Sequence, residues 1–105
     1  MIVAEFFRKN SEIIGFKIKG HARYGGYGKD IACASVSSAV MLTANMITES
    51  FGYEAEVSDE NEAVVLKAEL FGDGVLQKIF NGLIMHLEML SQEFEGTIKI
   101  KFTEV

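Results

Sequence analysis

The stretch Ile14-Gly15-Phe16-Lys17-Ile18-Lys19-Gly20-His21-Ala22-Arg23-Tyr24-Gly25-Gly26-Tyr27-Gly28-Lys29-Asp30-Ile31-Ala32-Cys33-Ala34 contains both kinds of element from which the fold is built. At its start Ile14, Phe16 and Ile18 share one face, while Gly15, Lys17 and Lys19 share the other. That period of two marks a strand with one face on a core and one in water. After the glycines the pattern changes. Asp30 is well placed as an N-cap, and a helix is predicted from about Ile31 to Phe51, with Gly52 just past its end.

Working outward, the same alternation recurs. Tyr53, Ala55 and Val57 alternate with Glu54 and Glu56; Val64, Leu66, Ala68 and Leu70 alternate with Val65, Lys67 and Glu69. Ile98, Ile100 and Phe102 alternate with Thr97, Lys99 and Lys101, and a shorter, less regular strand runs from Ile2 to Arg8. Lys9-Asn10-Ser11 and Asp59-Glu60-Asn61 are polar breaks of hairpin length. A second helix is predicted from about Gly74 to Phe94, with Asp73 as N-cap and Gly96 beyond the end. Its stripe of Leu76, Ile79, Phe80, Leu83, Leu87, Leu90 and Phe94 has helical spacing. The order ββαββαβ predicts an α+β two-layer sandwich, a mainly antiparallel five-stranded sheet covered by two helices.

A chain of 105 residues makes one domain, residues 1–105, with a modest core. With 49% hydrophobic and 24% charged residues the composition is globular. No apolar run is expected to span a bilayer, and the start lacks the basic region of a signal peptide, so no membrane partner is expected and the chain reads as cytoplasmic. A single cysteine forbids an intramolecular disulfide and argues against structural zinc, so no metal or cofactor is expected. The net charge of -5 counts against direct nucleic-acid binding and suits a basic protein partner, such as a ribosomal protein.

Self-association is expected from two features. Val36, Val40, Met41, Leu42, Met46 and Ile47 surround more of the first helix than one sheet face covers. Met85 and Met89 lie opposite the core stripe of the second. Apolar surface of that kind marks interfaces, here a homodimer.

The chemistry-bearing residues flank the glycines. His21 falls at a strand end, and Cys33 falls three residues after the expected cap. A loop between them can bring an imidazole against a thiol, the minimum apparatus of nucleophilic cysteine catalysis. A helix start favours an anion, and backbone amides around Ala32 to Ala34 are expected to face a developing oxyanion. Gly25, Gly26 and Gly28 give backbone freedom to a segment from Arg23 to Lys29 that closes over substrate. Tyr24 and Tyr27 line an apolar cleft or pack on the sheet. Asp30 orients His21 or, more often for such a residue, caps the helix. Ser37, one turn after Cys33, hydrogen-bonds near the thiol or permits close packing. His86 reads as structural. On composition alone, a lone cysteine among Ala32, Ala34 and Val36 is more often an inert buried residue.

Over Gly20 to Thr43 the chain resembles the ribosomal-processing cysteine proteases of bacteria. The family pattern is Gly-His-Ala, a short glycine-containing loop, Asp-Ile-Val-Cys-Ala and a Val-Ser pair. Here it reads Gly20-His21-Ala22, Asp30-Ile31-Ala32-Cys33-Ala34 and Val36-Ser37, with Ala32 in place of the usual valine. The resemblance implies an α+β homodimer whose catalytic dyad maps onto His21 and Cys33, supported by Gly20 and Ser37. It implies an endopeptidase that removes the N-terminal extension of large-subunit ribosomal protein number twenty-seven. Two other classes stay open on the residues themselves: a non-catalytic ribosome-assembly adaptor, and a redox-sensing thiol, which would lack a resolving cysteine within the chain.

Overall fold

A computed structural model describes residues 1–20 and 27–105, and of residues 27–30 the backbone only. Strands β1 (Ile2–Lys9) and β2 (Glu12–Lys19) precede helix α1 (Tyr27–Asn45), which continues into a π-helical segment, Met46–Ser50. Strands β3 (Glu56–Glu60) and β4 (Ala63–Lys67), helix α2 (Gly74–Glu93) and strand β5 (Ile98–Glu104) follow. The sheet order is β3-β4-β2-β1-β5. Three of its pairings are antiparallel, and β5 runs parallel to β1. The expected order and the mainly antiparallel sheet are what the chain adopts.

Both hairpins turn on two residues with positive φ, Asn10 (52°) and Ser11 (68°), then Asn61 (48°) and Glu62 (66°). This left-handed pair gives a tight turn whose twist matches that of the strands. The second turn lies later than the polar break suggested, and Asp59 and Glu60 remain in β3.

Alternation sends Ile2, Ala4, Phe6, Phe16, Ile18, Leu66 and Ile98 into one core with α1 and α2. Phe6 pairs with Phe16 across strands at 6.0 Å between centroids, and Phe80 of α2 meets Phe16 edge-on at 6.3 Å. All three rings are fully buried, each a contribution of about 1.5–3 kcal/mol. The expected stripe of α2 faces the sheet, with Ile84 buried beside it and Ile79 and Phe94 at its rim.

Four local expectations are corrected. Ile14 does not share the core face with Phe16. Phe7 pairs with Gly15 while Arg8 pairs with Ile13, so Ile14 is the extra residue of a bulge and Ile13 takes the core position. Gly15 lies beside the bulge, where a Cβ would collide with the carbonyl oxygen of Leu66. Tyr53 and Ala55 pack on the core outside β3, because the Tyr53 amide donates to the Ile47 carbonyl (2.9 Å) and is unavailable to the ladder. Leu70 and Phe102 are surface residues, and Phe102 is held between Phe6 (5.9 Å) and the Arg8 guanidinium (4.9 Å).

The fourth correction concerns α1, which begins at Tyr27 rather than at Ile31. Asp30 is therefore inside the helix and not its cap, and Tyr27, Gly28 and Lys29 are helical rather than part of the closing segment. The first turn needs no intrahelical donors, so a residue as unfavourable as Gly28 is tolerated there. At the other end the Phe51 amide donates to Met46 (2.9 Å) and Gly52 (φ 68°) ends the helix as expected. By length and composition Ile31–Ser50 is apolar enough to cross a membrane, contrary to the expectation from the sequence. In the fold Ala32, Val36, Val40 and Ile47 of this stretch are buried. Its apolarity serves the core on one side, while Met41 and Leu42 remain exposed on another.

Candidate active site

Strand β2 ends at Lys19, and Gly20 follows with φ 101°. A Cβ at Gly20 would collide with the carbonyl oxygen of Met1, so glycine is required by both conformation and space. Here the end of β2 and one side of α1 line a common cavity. Ala32 and Val36 face inward from the helix, while Cys33 sits half-buried at the core's rim.

Cys33, Gly20 and Ser37 line one cavity of about 170 Å³. Ile2, Ile18, Val36, Val40, Met41 and Val64 form its apolar wall, and Glu62 of the β3–β4 turn stands among its lining residues. The volume is close to the roughly 150 Å³ that admits a benzene-sized group. One apolar side chain fits beside the thiol. Of the residues singled out from sequence, the structure thus brings Gly20, Cys33 and Ser37 together. His21, Tyr24, Gly25 and Gly26 lie outside the described residues, and Tyr27, Gly28 and Asp30 form the first turn of α1.

That earlier start alters the electrostatics expected at Cys33. The unpaired amides of α1 are those of residues 27–30, and the dipole acts mainly within that turn. Cys33 is in the second turn. The amides of Ala32 to Ala34 are in the i→i−4 ladder and are not open oxyanion donors.

The sequence reading missed Glu62, because nothing local in a hairpin turn announces that the turn reaches a distant helix. It also missed the partner of Asp73. Asp73 caps α2 as expected, accepting from the Leu76 amide (3.0 Å), but it also accepts from the Tyr53 hydroxyl (2.9 Å). The amide bond first, then the phenol, hold the Asp73 carboxyl below its ordinary range. Loss of water around Tyr53, then its bond to Asp73, push the phenol above its ordinary value. This pair ties the segment that follows the π-helical turn to the start of α2. His86 is exposed on α2 and lines a separate, wider groove between the helices. Among the described residues, no group of three or more His, Cys, Asp or Glu could hold a metal ion.

A half-buried cysteine lining a cavity of side-chain size is an arrangement that a thiol hydrolase can use, and the wider comparison agrees: residues 1–99 match the family Cysteine protease Prp, to which this chain belongs. The ribosomal processing cysteine protease Prp of Bacillus subtilis (strain 168) is 23% identical over 107 residues, covering 95% of this chain and 96% of that protein. The essential ribosomal processing protease Prp of S. aureus, solved with a substrate peptide, superposes with a TM-score of 0.87 at 18% identity, covering 98% of this chain and 100% of that one. Its complex with a covalently linked product peptide gives a TM-score of 0.85 at 19% identity, with the same coverage.

Proposed function

We propose that this chain is a cytoplasmic ribosomal-processing endopeptidase, a single domain over residues 1–105, with Cys33 as nucleophile and His21 as acid and base. Its substrate is the N-terminal extension of large-subunit ribosomal protein number twenty-seven. The observation that carries the reading is the placement of the chain's one cysteine in a cavity of side-chain size beside Gly20, the residue immediately before His21.

In the mechanism, the Cys33 thiolate adds to the scissile carbonyl carbon and the carbonyl electrons move onto oxygen. The unpaired amides of residues 27–30, in the turn preceding Cys33, are the donors the helix offers that oxyanion. The intermediate collapses, the carbon–nitrogen bond breaks, and His21 gives the departing amine its proton. Neutral His21 then takes a proton from water, which attacks the thioester and releases the new carboxylate and Cys33. Gly20 and Ser37 support the site. Tyr24, Gly25 and Gly26 supply the substrate-facing segment, and Tyr27, Gly28 and Asp30 belong to the helical turn that follows it.

A homodimer is part of the same reading. Met41, Leu42, Met85 and Met89 are exposed on the two helices, and Leu42 lines the groove between α1 and α2. Such a patch is suited to burial against a second copy.

The test is cleavage of the N-terminally extended ribosomal protein by parent and Cys33→Ala proteins, read by fragment mass. A single cut made only by the parent supports the reading. Equal cutting by the folded Cys33→Ala protein overturns Cys33 as nucleophile.

A further inference from the structure

The net charge of -5 conceals a polarised molecule. Because alternate residues of β1, β2 and β5 enter the core, the residues between them stand on the opposite face of the sheet, which carries no helix. Register places Lys19, Val3 and Lys99 in one row and Lys17, Glu5 and Lys101 in the next. Lys67 lies one row further, beside Gly15. Five of the chain's ten basic residues therefore share this face. The carboxylate amid the four lysines belongs to Glu5, which accepts from Thr103 (2.6 Å) and stands 3.9 Å from Lys101 Nζ. Of the other acids of this face, Glu56 and Glu60 lie on the far edge strand and Glu69 stands beside Lys67, just past the end of β4.

Same-face residues of one strand are about 6.7 Å apart, and strands two apart in a sheet are separated by about 9.6 Å. The four lysines of β2 and β5 thus form a flat rectangle of point charges on flexible stems. We infer that this face docks RNA through its phosphate backbone. The inference rests on the ribosomal-processing reading, which sets the enzyme among ribosomal components where phosphate is the abundant anion. Lysine ammonium groups suit a contact that neutralises backbone charge without reading bases. A grid of ammonium groups spread over three adjacent strands has the extent for a broad polyanion. Cys33 belongs to the helix layer, so a docked RNA leaves its cavity open to the peptide.

The experiment is fluorescence anisotropy of a labelled RNA duplex of about 16 base pairs and arbitrary sequence, titrated at several salt concentrations. The parent protein is expected to bind with a log–log salt slope of about −3.6, the duplex value for four neutralised phosphates. Combined Lys17→Gln, Lys19→Gln, Lys99→Gln and Lys101→Gln, shown folded by circular dichroism, is expected to weaken binding at about 50 mM salt by more than tenfold and to flatten the slope. Lys78→Gln on α2 should leave binding unchanged. Equal RNA binding by parent and quadruple variant, or none by either, overturns the inference. Displacement of the RNA by polyglutamate of equal total charge overturns it too, in favour of an acidic protein partner. Cleavage of the free substrate is read separately: its absence in the parent defeats the protease reading while the binding result stands on its own.

Discussion

The side-chain amide of Gln77 closes a two-point hydrogen bond on the backbone of Ile13, donating to its carbonyl (2.7 Å) and accepting from its amide (2.8 Å). Ile13 flanks the bulge in β2, where the ladder with β1 changes register. A bulge leaves backbone groups without ladder partners, and a residue from α2 supplies them. Gln77→Leu should therefore strand a donor and an acceptor, at a cost of about 2 kcal/mol or more. Urea unfolding should show a lower midpoint with an unchanged slope; a midpoint equal to the parent's would mean that water replaces the amide.

Asp73 should govern the acid limb of stability. Its folded pKa is depressed, so its contribution is present above the unfolded value of about 3.9 and is lost as pH falls through the lower folded value. Asp73→Ala should be less stable than the parent at neutral pH and converge with it in strong acid. Tyr53 has the opposite sign. Its raised folded pKa makes its contribution complete below about 10 and lost as pH rises through the higher folded value. Tyr53→Phe should flatten that alkaline decline in thermal melts.

Gly20→Ala should destabilise the protein by about 1–3 kcal/mol, since a Cβ meets both a left-handed φ and the Met1 carbonyl. Because Gly20 also lines the Cys33 cavity, the variant should slow alkylation of the thiol or peptide cleavage beyond its loss of stability. A melt and a thiol-modification rate measured together separate the two effects.

Val64→Phe should fill the cavity from β4 while leaving Cys33 itself unsubstituted. The expectation is a rise in KM for peptides with a large apolar side chain at the cut, and little change for small ones. Uniform loss for both peptides would show that the cavity is not a side-chain subsite.

Leu42→Glu and Met85→Glu place charge on the exposed helix layer. Each should convert a dimeric parent to monomer in sedimentation velocity and remove the concentration dependence of its melt. A monomeric parent would end the homodimer reading.

Alternation and capping are local properties, and so the sequence alone determined the element order, the helical stripe of α2, Asp73 as its cap, Gly52 as the end of the first helical run, and both hairpins. The short spacing from Gly20 to Ser37 likewise made Cys33 conspicuous before any geometry was known. Tertiary structure decided what depends on contacts distant in sequence. The bulge that exchanges Ile14 for Ile13 is stabilised by Gln77, many residues away. The start of α1 at Tyr27 overrides the propensity of Gly28 and moves Cys33 out of the first turn. Glu62 reaches the cavity only because β3 and β4 fold back beside β2. The lysines of β2 and β5, unremarkable in a chain of charge -5, become a patch only when β1 is inserted between them. Periodicity reports which face a residue occupies; strand pairing determines which faces adjoin.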